Sequence, residues 1–226
     1  DHGDGMPYVK REVLDRGLRV PLIIKAPFLK ANTTDSQLLS FVDFAPTVLS
    51  LANIPIPKSI QGQAFLGEQK SKIKRKYVYG ARDRMDSEFD RVRAVNDGQY
   101  TYIRNYMPEK PYYQNIRYRL NNPIMPHLLA MKEADKLNEK QMNWFKLSKP
   151  IEELYDYKND PNEMNNLAEN PKYATKLKEL RTAHLAWMKL YKDLAETLEM
   201  DMVNGWWNGK ETAPKTGQPQ IKTSRN

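Results

Sequence analysis

The 226-residue chain contains no cysteine and no long apolar run. Without cysteine it forms no disulfide within this segment, although the absence leaves the cellular compartment open. The apolar stretch Leu22-Ile23-Ile24 is interrupted at once by Lys25 and Pro27, whereas a helix that crosses a membrane needs about 20 mostly apolar residues. The sequence therefore predicts no membrane span.

Acidic residues are outnumbered, with 36 Lys and Arg against 28 Asp and Glu and a formal net charge of +8. Such a charge attracts nucleic acid, anionic lipid and sulfated glycan alike, so it does not choose among them. The basic run over residues 70–76 has no interleaved aromatic residue and precedes a predicted strand. We therefore expect a solvated loop there and no nucleic-acid partner.

The first sixty residues have the pattern of the end of an α/β unit. A strand is predicted over Leu22–Ala26, which a proline bounds on each side. A helix is predicted from about Phe44 to Ala52, because Asp43 can serve as its N-cap and Pro46 fits its first turn. With 40% hydrophobic residues, the chain has enough apolar side chains to form a core.

The middle of the chain has the pattern of an antiparallel sheet. Polarity alternates over residues 91–95 and 99–104, on either side of Asn96-Asp97-Gly98, and Asn, Asp and Gly tolerate the positive φ that tight hairpin turns need. Residues 77–79 and 153–156 are the predicted partner strands. The sequence thus predicts a small sheet of about four strands.

Two helical regions accompany this sheet. A long insertion over residues 106–145 is rich in Tyr, Pro and Arg at first and is predicted helical over 126–136 and 138–144. The last helix is predicted from Pro171 to Met200 with Asn170 as its N-cap. Its predicted apolar face, which should pack on the sheet, comprises Leu177, Leu180, His184, Leu185, Met188, Tyr191 and Leu194.

The chain begins with Asp1-His2-Gly3-Asp4-Gly5, where a carboxylate and an imidazole lie side by side. This composition also suits an ordinary turn. As a metal site it would be half complete, and we expect the other ligands upstream of Asp1 in a larger hydrolase. The ligand types leave Ca²⁺ or Mg²⁺ and Zn²⁺ or Mn²⁺ open.

Further blocks follow this pair in a recognisable order. They are Lys10, Gly17-Leu18-Arg19-Val20-Pro21, Asp43-Phe44-Ala45-Pro46-Thr47, Gly62-Gln63-Ala64-Phe65, Glu153-Leu154-Tyr155-Asp156, Asp160-Pro161-Asn162-Glu163 and Asn166-Leu167. In order and spacing the blocks resemble the type I, formylglycine-dependent sulfatases of the alkaline phosphatase superfamily. The resemblance extends over nearly the whole chain.

The resemblance implies roles for three residues. Asp1 and His2 would bind the metal, which in this family is usually Ca²⁺, and Lys10 would contact the sulfate and stabilise its charge. The alternative interpretation of Lys10 is an ordinary exposed lysine on a loop. Arg19 is expected to be structural, with Asp15 as a possible partner.

The resemblance also implies what this chain does not contain. The formylglycine nucleophile is made within a Cys/Ser-x-Pro-x-Arg motif, which is absent here. We therefore expect the nucleophile in a missing N-terminal part of the same enzyme, and no activity from this chain alone. The family resemblance implies a periplasmic or secreted location. No signal sequence is visible in the chain itself.

Substrate contacts beyond the sulfate are predicted at five residues. Arg82 and Arg84, in a predicted loop, could bind a sulfated glycan, or could belong to an ion-pair cluster with neighbouring aspartates. In the insertion, Arg117, Arg119 and His127 combine anion-binding groups with nearby tyrosines. Ordinary packing of a helical lid is the alternative there.

The sequence thus predicts an α/β fold in three parts. Residues 1–66 would be the C-terminal part of the sulfatase α/β core, 67–204 a subdomain with about four antiparallel strands on a long helix and a helical insertion, and 205–226 an extended tail. The predicted function is hydrolysis of sulfate esters of a sulfated carbohydrate. The alternatives are a phosphate-ester hydrolase of the same superfamily and a non-catalytic glycan-binding module.

Overall fold

The computed structural model describes residues 5–85, 87–197 and 201. One antiparallel sheet has the strand order β1-β2-β3-β4, so that each strand lies beside its neighbour in sequence. Its strands are β1 (Val78–Met85), β2 (Glu88–Asn96), β3 (Tyr100–Asn105) and β4 (Glu152–Asp156). The predicted four-stranded sheet is confirmed.

Six α-helices surround the sheet in the described residues: α1 (Asp15–Leu18), α2 (Phe44–Leu51), α3 (Arg117–Leu120), α4 (Ile124–Glu133), α5 (Glu139–Met142) and α6 (Ala174–Tyr191). Short 3₁₀ turns precede α2 and α6 and follow α5. The α/β fold class, with a small antiparallel sheet packed on a long helix, is confirmed. No helix in the described part of the chain is long and apolar enough to cross a membrane.

The sheet is covered on both faces because successive side chains along a strand point in opposite directions. On one face, buried residues of β2, β3 and β4 pack against Leu177 and Leu180 of α6. On the other face, the alternate positions pack against Val13 and Leu14. The sheet thereby positions the chain segment that contains Lys10.

The turn between β2 and β3 shows why the hairpin was predictable. Gly98 has φ +96°, which a residue with a side chain rarely adopts. The side chain of Asn96 accepts the N–H of Gly98 at 2.8 Å, and that of Asp97 accepts the N–H groups of Gln99 and Tyr100 at 3.0 and 2.8 Å. All these contacts are local in sequence.

The strand predicted over Leu22–Ala26 is wrong for this chain. Residues 19–26 have no regular secondary structure, and Ile23 is 94% exposed. A strand needs a partner for its backbone hydrogen bonds, and no described strand pairs with this segment. The composition is typical of a strand, but the described residues contain no strand that pairs with it.

The last helix ends at Tyr191, nine residues before the predicted end. Lys192 adopts the left-handed conformation, with φ 52° and ψ 46°, and its N–H bonds to the Met188 carbonyl. Leu185 and Leu194, predicted on the apolar face, are each more than half exposed, and Tyr191 is 40% exposed. The tail over 205–226 lies outside the described residues.

The predicted insertion helices form as α4 and α5, with shifted ends. They are held by a cluster of Met125, Trp144 and Phe145, against which Tyr112 and Tyr113 pack. Packing thus accounts for part of the tyrosine content of the insertion, as the alternative interpretation expected.

Candidate functional site

The predicted metal ligands Asp1 and His2 lie outside the described residues. Among the residues that the structure does describe, no group of three or more His, Cys, Asp or Glu side chains could hold a metal ion. The part of the candidate site that lies within the described residues is therefore the segment around Lys10.

Lys10 lies in a tight turn over residues 6–12. The N–H groups of Val9 and Lys10 both bond to the Met6 carbonyl at 3.3 Å, while Tyr8 and Arg11 adopt positive φ values of 58° and 79°. Left-handed backbone is costly outside glycine, so it persists only where surrounding contacts hold it. We call residues 6–12 the Lys10 turn.

Gly17 allows α1 to pack directly on the Lys10 turn. A Cβ atom at this position would lie 2.3 Å from the carbonyl oxygen of Glu12 and 2.6 Å from that of Val9. Both distances are shorter than any van der Waals contact, so only glycine fits. The predicted pair between Arg19 and Asp15 is confirmed, with Nε 2.9 Å from the carboxylate.

Glu12 is the buried anchor of the Lys10 turn. Its carboxylate accepts hydrogen bonds from Nη1 of Arg82 at 2.8 Å and from Nη2 of Arg119 at 2.9 Å. Arg82 also donates to the Arg11 carbonyl at 2.8 Å, so one guanidinium holds both the side chain and the backbone of the turn. All three ionic side chains are less than 10% exposed.

The ion pairs continue inward through Asp90. Its carboxylate accepts hydrogen bonds from Nη2 of Arg82 at 2.5 Å and from Nζ of Lys149 at 2.6 Å. Burial opposes the charge of Arg82, but the carboxylates of Glu12 and Asp90 outweigh burial and raise the pKa of Arg82. For Lys149 burial dominates and lowers the pKa despite the Asp90 partner. A buried ionic group left without its partner is costly, so we expect the loss of one member of the network to be strongly destabilising.

The remaining motif residues tie β4 to the Lys10 side of the sheet. Glu153 is fully buried, and its carboxylate accepts hydrogen bonds from the Asn105 amide and the Tyr155 hydroxyl. Burial raises the pKa of Glu153. Glu163 accepts the N–H of Asp15 at 3.1 Å and has its pKa raised to about 7, chiefly by burial.

The turn that carries Glu163 is built by its own polar side chains. Asp160 accepts the N–H groups of Met164 and Asn165, each at 2.8 Å. Asn166 accepts the N–H of Leu154 at 2.9 Å, which joins the turn to β4. The Asp-Pro-x-Glu and Asn-Leu blocks therefore have a structural explanation here.

The five predicted substrate-binding residues separate into two groups. Arg82 and Arg119 are buried and converge on Glu12, and Arg119 also lies 4.8 Å from the centre of the Trp144 ring. Arg84, Arg117 and His127 are exposed. The substrate-binding roles of all five residues stay predictions. For Arg82, its contacts favour the alternative of an ion-pair cluster. Both Arg82 and Arg84 lie in β1, so the loop predicted there is wrong.

Sequence reasoning missed Glu12, Asp90 and Lys149. Arg82 and Arg119 lie 70 and 107 residues from Glu12, and Lys149 lies 59 residues from Asp90, so no local spacing reveals these pairs. Arg82 lies 8 residues from Asp90, but their contact depends on the pairing of β1 with β2. His184, by contrast, is confirmed as a buried histidine of the core, and burial lowers its pKa to about 4.

The comparisons with known proteins agree with these blocks. The family model described as N-sulphoglucosamine sulphohydrolase, C-terminal, matches residues 3–112. An ulvan-active sulfatase of Formosa agariphila is 49% identical over 222 residues, which are 98% of this chain. The chain belongs to the sulfatase family. It matches this family as a C-terminal portion, because it spans 37% of the length of that relative.

Other sulfatases are more distant. An N-acetylglucosamine-6-O-sulfatase of Bacteroides thetaiotaomicron is 29% identical over 185 residues, covering 81% of this chain and 27% of the relative. A solved structure of a 2-O GAG sulfatase is 24% identical, with a TM-score of 0.45, and the match covers 69% of this chain and 26% of that one. So low a structural likeness carries no argument about the site.

Proposed function

We propose that this chain is the C-terminal portion of an enzyme that hydrolyses sulfate esters of a sulfated carbohydrate. The observation that carries the proposal is the Lys10 turn, a strained segment held by buried ion pairs from β1 and α3. The blocks around it match those of sulfatases, and the named relatives include an ulvan-active sulfatase and an N-acetylglucosamine-6-O-sulfatase. A polyanionic substrate also suits the net charge of +8.

In this proposal Lys10 contacts the sulfate group. A positioned ammonium stabilises negative charge that develops on the transferred group, and it does so best when no reorganisation is needed. Arg82 and Arg119 would act through Glu12 as positioning residues, since their guanidinium groups fix the turn from the buried side. Arg84, Arg117 and His127, which are exposed, remain the proposed contacts to the sugar.

The proposal includes groups that the described residues do not contain. Asp1 and His2 would hold Ca²⁺, whose charge would help to neutralise the sulfate. The formylglycine nucleophile would belong to an N-terminal part of the same enzyme. In the proposed division, residues 1–66 complete the catalytic core and 67–204 form the subdomain. We propose a periplasmic or secreted location, where a sulfated polysaccharide would be accessible.

The test is a lysine substitution in the complete enzyme. Lys10→Ala should lower kcat for sulfate release from a sulfated polysaccharide by about a hundredfold or more, because one preorganised charge contact is lost. Lys58→Ala, at an exposed position, is the matched control and should behave like the wild type. Unchanged turnover by Lys10→Ala, with folding verified by its melting curve, would contradict the proposed role.

A further inference from the structure

The Lys10 turn contains a backbone conformation that its own sequence does not favour. Tyr8 and Arg11 have φ values of 58° and 79°, in the left-handed region where a residue with a side chain is strained. Such strain persists only where surrounding contacts hold it. Arg82 holds Arg11 through its carbonyl at 2.8 Å, and Nη2 of Arg11 donates to the Glu88 carbonyl at 3.2 Å. The printed contacts of Tyr8 are made by its ring, and they lead into the insertion.

The ring of Tyr8 connects two parts of the core. It packs against the cluster on the sheet that contains Val13 and against the insertion cluster that contains Trp144. The centroids of the Tyr8 and Trp144 rings are 5.4 Å apart, within the range of about 4.5–7 Å that is usual for aromatic pairs. The guanidinium of Arg16 lies 5.1 Å from the Tyr8 centroid, a cation–π contact from α1. The Tyr8 side chain is therefore held by the insertion and by α1 together.

Trp144 also reaches the turn on the other side of Lys10. Its ring centroid lies 4.8 Å from the guanidinium carbon of Arg119, and Nη2 of Arg119 donates to Glu12 at 2.9 Å. Tyr8 and Glu12 stand two residues before and two residues after Lys10 in the sequence. One indole ring thus contacts the turn directly on one side of the lysine and through Arg119 on the other.

Trp144 is itself fixed by packing within the insertion. It is 1% exposed and lies in the 3₁₀ turn Asn143–Phe145 that follows α5. The rings of Tyr113 and Phe145 meet it edge-on, with centroids at 5.3 and 5.5 Å. Its carbonyl accepts the N–H of Tyr113 at 2.9 Å, whereas its indole N–H has no hydrogen-bond partner among the described residues. The shape of the ring, and no polar contact of its side chain, therefore fixes its place against the turn.

We propose that Trp144 and Tyr8 are positioning residues for Lys10, so that the insertion over residues 106–145 serves the sulfate end of the reaction. The inference rests on the proposed function, from which it takes the contact between Lys10 and the sulfate. A misplacement of about 1 Å in a group of this kind can cost on the order of a hundredfold in rate. A positioning role differs from a sugar contact because it affects every sulfate ester alike, including a small aryl sulfate.

The first experiment measures kcat and KM of the complete enzyme for a sulfated polysaccharide and for a small aryl sulfate. Trp144→Ala should lower kcat about tenfold or more for both substrates and change KM by less than about twofold. Trp144→Phe, which keeps a ring, should restore most of the loss. The matched control is Trp187→Ala, since Trp187 of α6 stacks on Tyr79 with centroids 4.9 Å apart, and it should leave kcat unchanged. An equal loss in the control, or a loss confined to the polysaccharide, would overturn the proposal.

Substitutions of Tyr8 approach the same contact from the turn, in case the buried Trp144→Ala fails to fold. Tyr8→Gly relieves the backbone strain at φ 58° but removes the ring, whereas Tyr8→Phe keeps the ring. Tyr8→Gly should lower kcat about tenfold, and Tyr8→Phe should retain most of it. In a Lys10→Ala background Tyr8→Gly should have no further effect, because both changes act through one ammonium group. A full additional loss there, or wild-type turnover by Tyr8→Gly, would contradict the proposal.

A second readout needs no turnover. The N–H groups of Val9, Lys10 and Glu12 are hydrogen-bonded within the turn, so hydrogen–deuterium exchange over residues 6–12 of the complete enzyme reports whether it is held. Trp144→Ala and Tyr8→Gly should speed this exchange about tenfold or more, and Trp187→Ala should not. If Lys10→Ala leaves turnover unchanged, the proposed function fails, but the exchange still decides the inference. Unchanged exchange in both variants would overturn it.

Discussion

At the residue scale, Arg82 and Arg84 show how two side chains of one type come to differ. Strand periodicity would place both on the same face of β1. However, the pairing shifts from Arg82 opposite Val92 to Arg84 opposite Phe89, which marks a bulge between them. Arg82 is buried against Glu12 and Asp90, whereas Arg84 is exposed and donates to the Ser87 carbonyl. The sequence could not reveal the bulge.

This difference predicts unequal effects on stability. Arg82→Ala should lower the free energy of unfolding by about 3–5 kcal/mol, because it leaves the buried carboxylates of Glu12 and Asp90 without a shared partner. Arg84→Ala should change it by less than about 0.5 kcal/mol. Urea unfolding of the two variants measures both quantities. Equal small losses would mean that the ion-pair network contributes little.

A second residue-scale prediction concerns pH. Burial raises the pKa of Glu163 from its ordinary 4.5 to about 7, so the folded chain binds a proton more readily than the unfolded chain between these values. The contribution of Glu163 to stability is therefore present below about pH 4.5 and is lost as the pH rises through 7. The full loss is on the order of 3 kcal/mol.

The measurement compares Glu163→Gln with the wild type in urea unfolding at pH 5 and pH 8. Because Gln cannot lose a proton, the variant should gain stability relative to the wild type by up to a few kcal/mol as the pH is raised. The exposed control Glu68→Gln should show no such gain. A pH-independent difference for Glu163→Gln would refute the titration of this carboxyl.

At the element scale, local signals were sufficient for some elements and insufficient for others. The β2–β3 hairpin was predictable because its turn is stabilised by Asn96, Asp97 and Gly98 themselves. The Asn170 cap was also predictable, since its side chain accepts the N–H of Lys172 at 3.0 Å. The strand predicted over 22–26 does not form, because a strand needs a partner for its backbone hydrogen bonds and the local sequence does not show whether one exists.

The early end of α6 leads to a stabilising substitution. Lys192 has a left-handed backbone at φ 52°, which is strained for a residue with a side chain but which glycine adopts freely. Lys192→Gly should therefore raise the free energy of unfolding by about 0.5–1 kcal/mol. Lys189→Gly, inside the same helix, is the matched control and should lower it by about 1 kcal/mol. Thermal unfolding distinguishes the two, and destabilisation by Lys192→Gly would show that the lysine side chain matters more than the backbone.

At the scale of the whole molecule, the sequence identified the family better than it identified the site. The sulfatase blocks are short and contiguous, so they can be read from one sequence. The Lys10 turn, by contrast, is held by Arg82 and Arg119, which lie 70 and 107 residues from Glu12 along the chain. Such contacts depend on the sheet register and on the insertion, neither of which a local pattern specifies.

The central claim is that the complete enzyme hydrolyses sulfate esters of a carbohydrate. The most direct test is to measure kcat/KM of the complete enzyme for a sulfated polysaccharide and for a phosphate monoester of a matching sugar. The account predicts release of inorganic sulfate at a rate that far exceeds release of phosphate, and loss of that activity by about a hundredfold or more in Lys10→Ala. Preference for the phosphate ester would instead identify a phosphate-ester hydrolase, and binding of the glycan without release of either anion would identify a binding module.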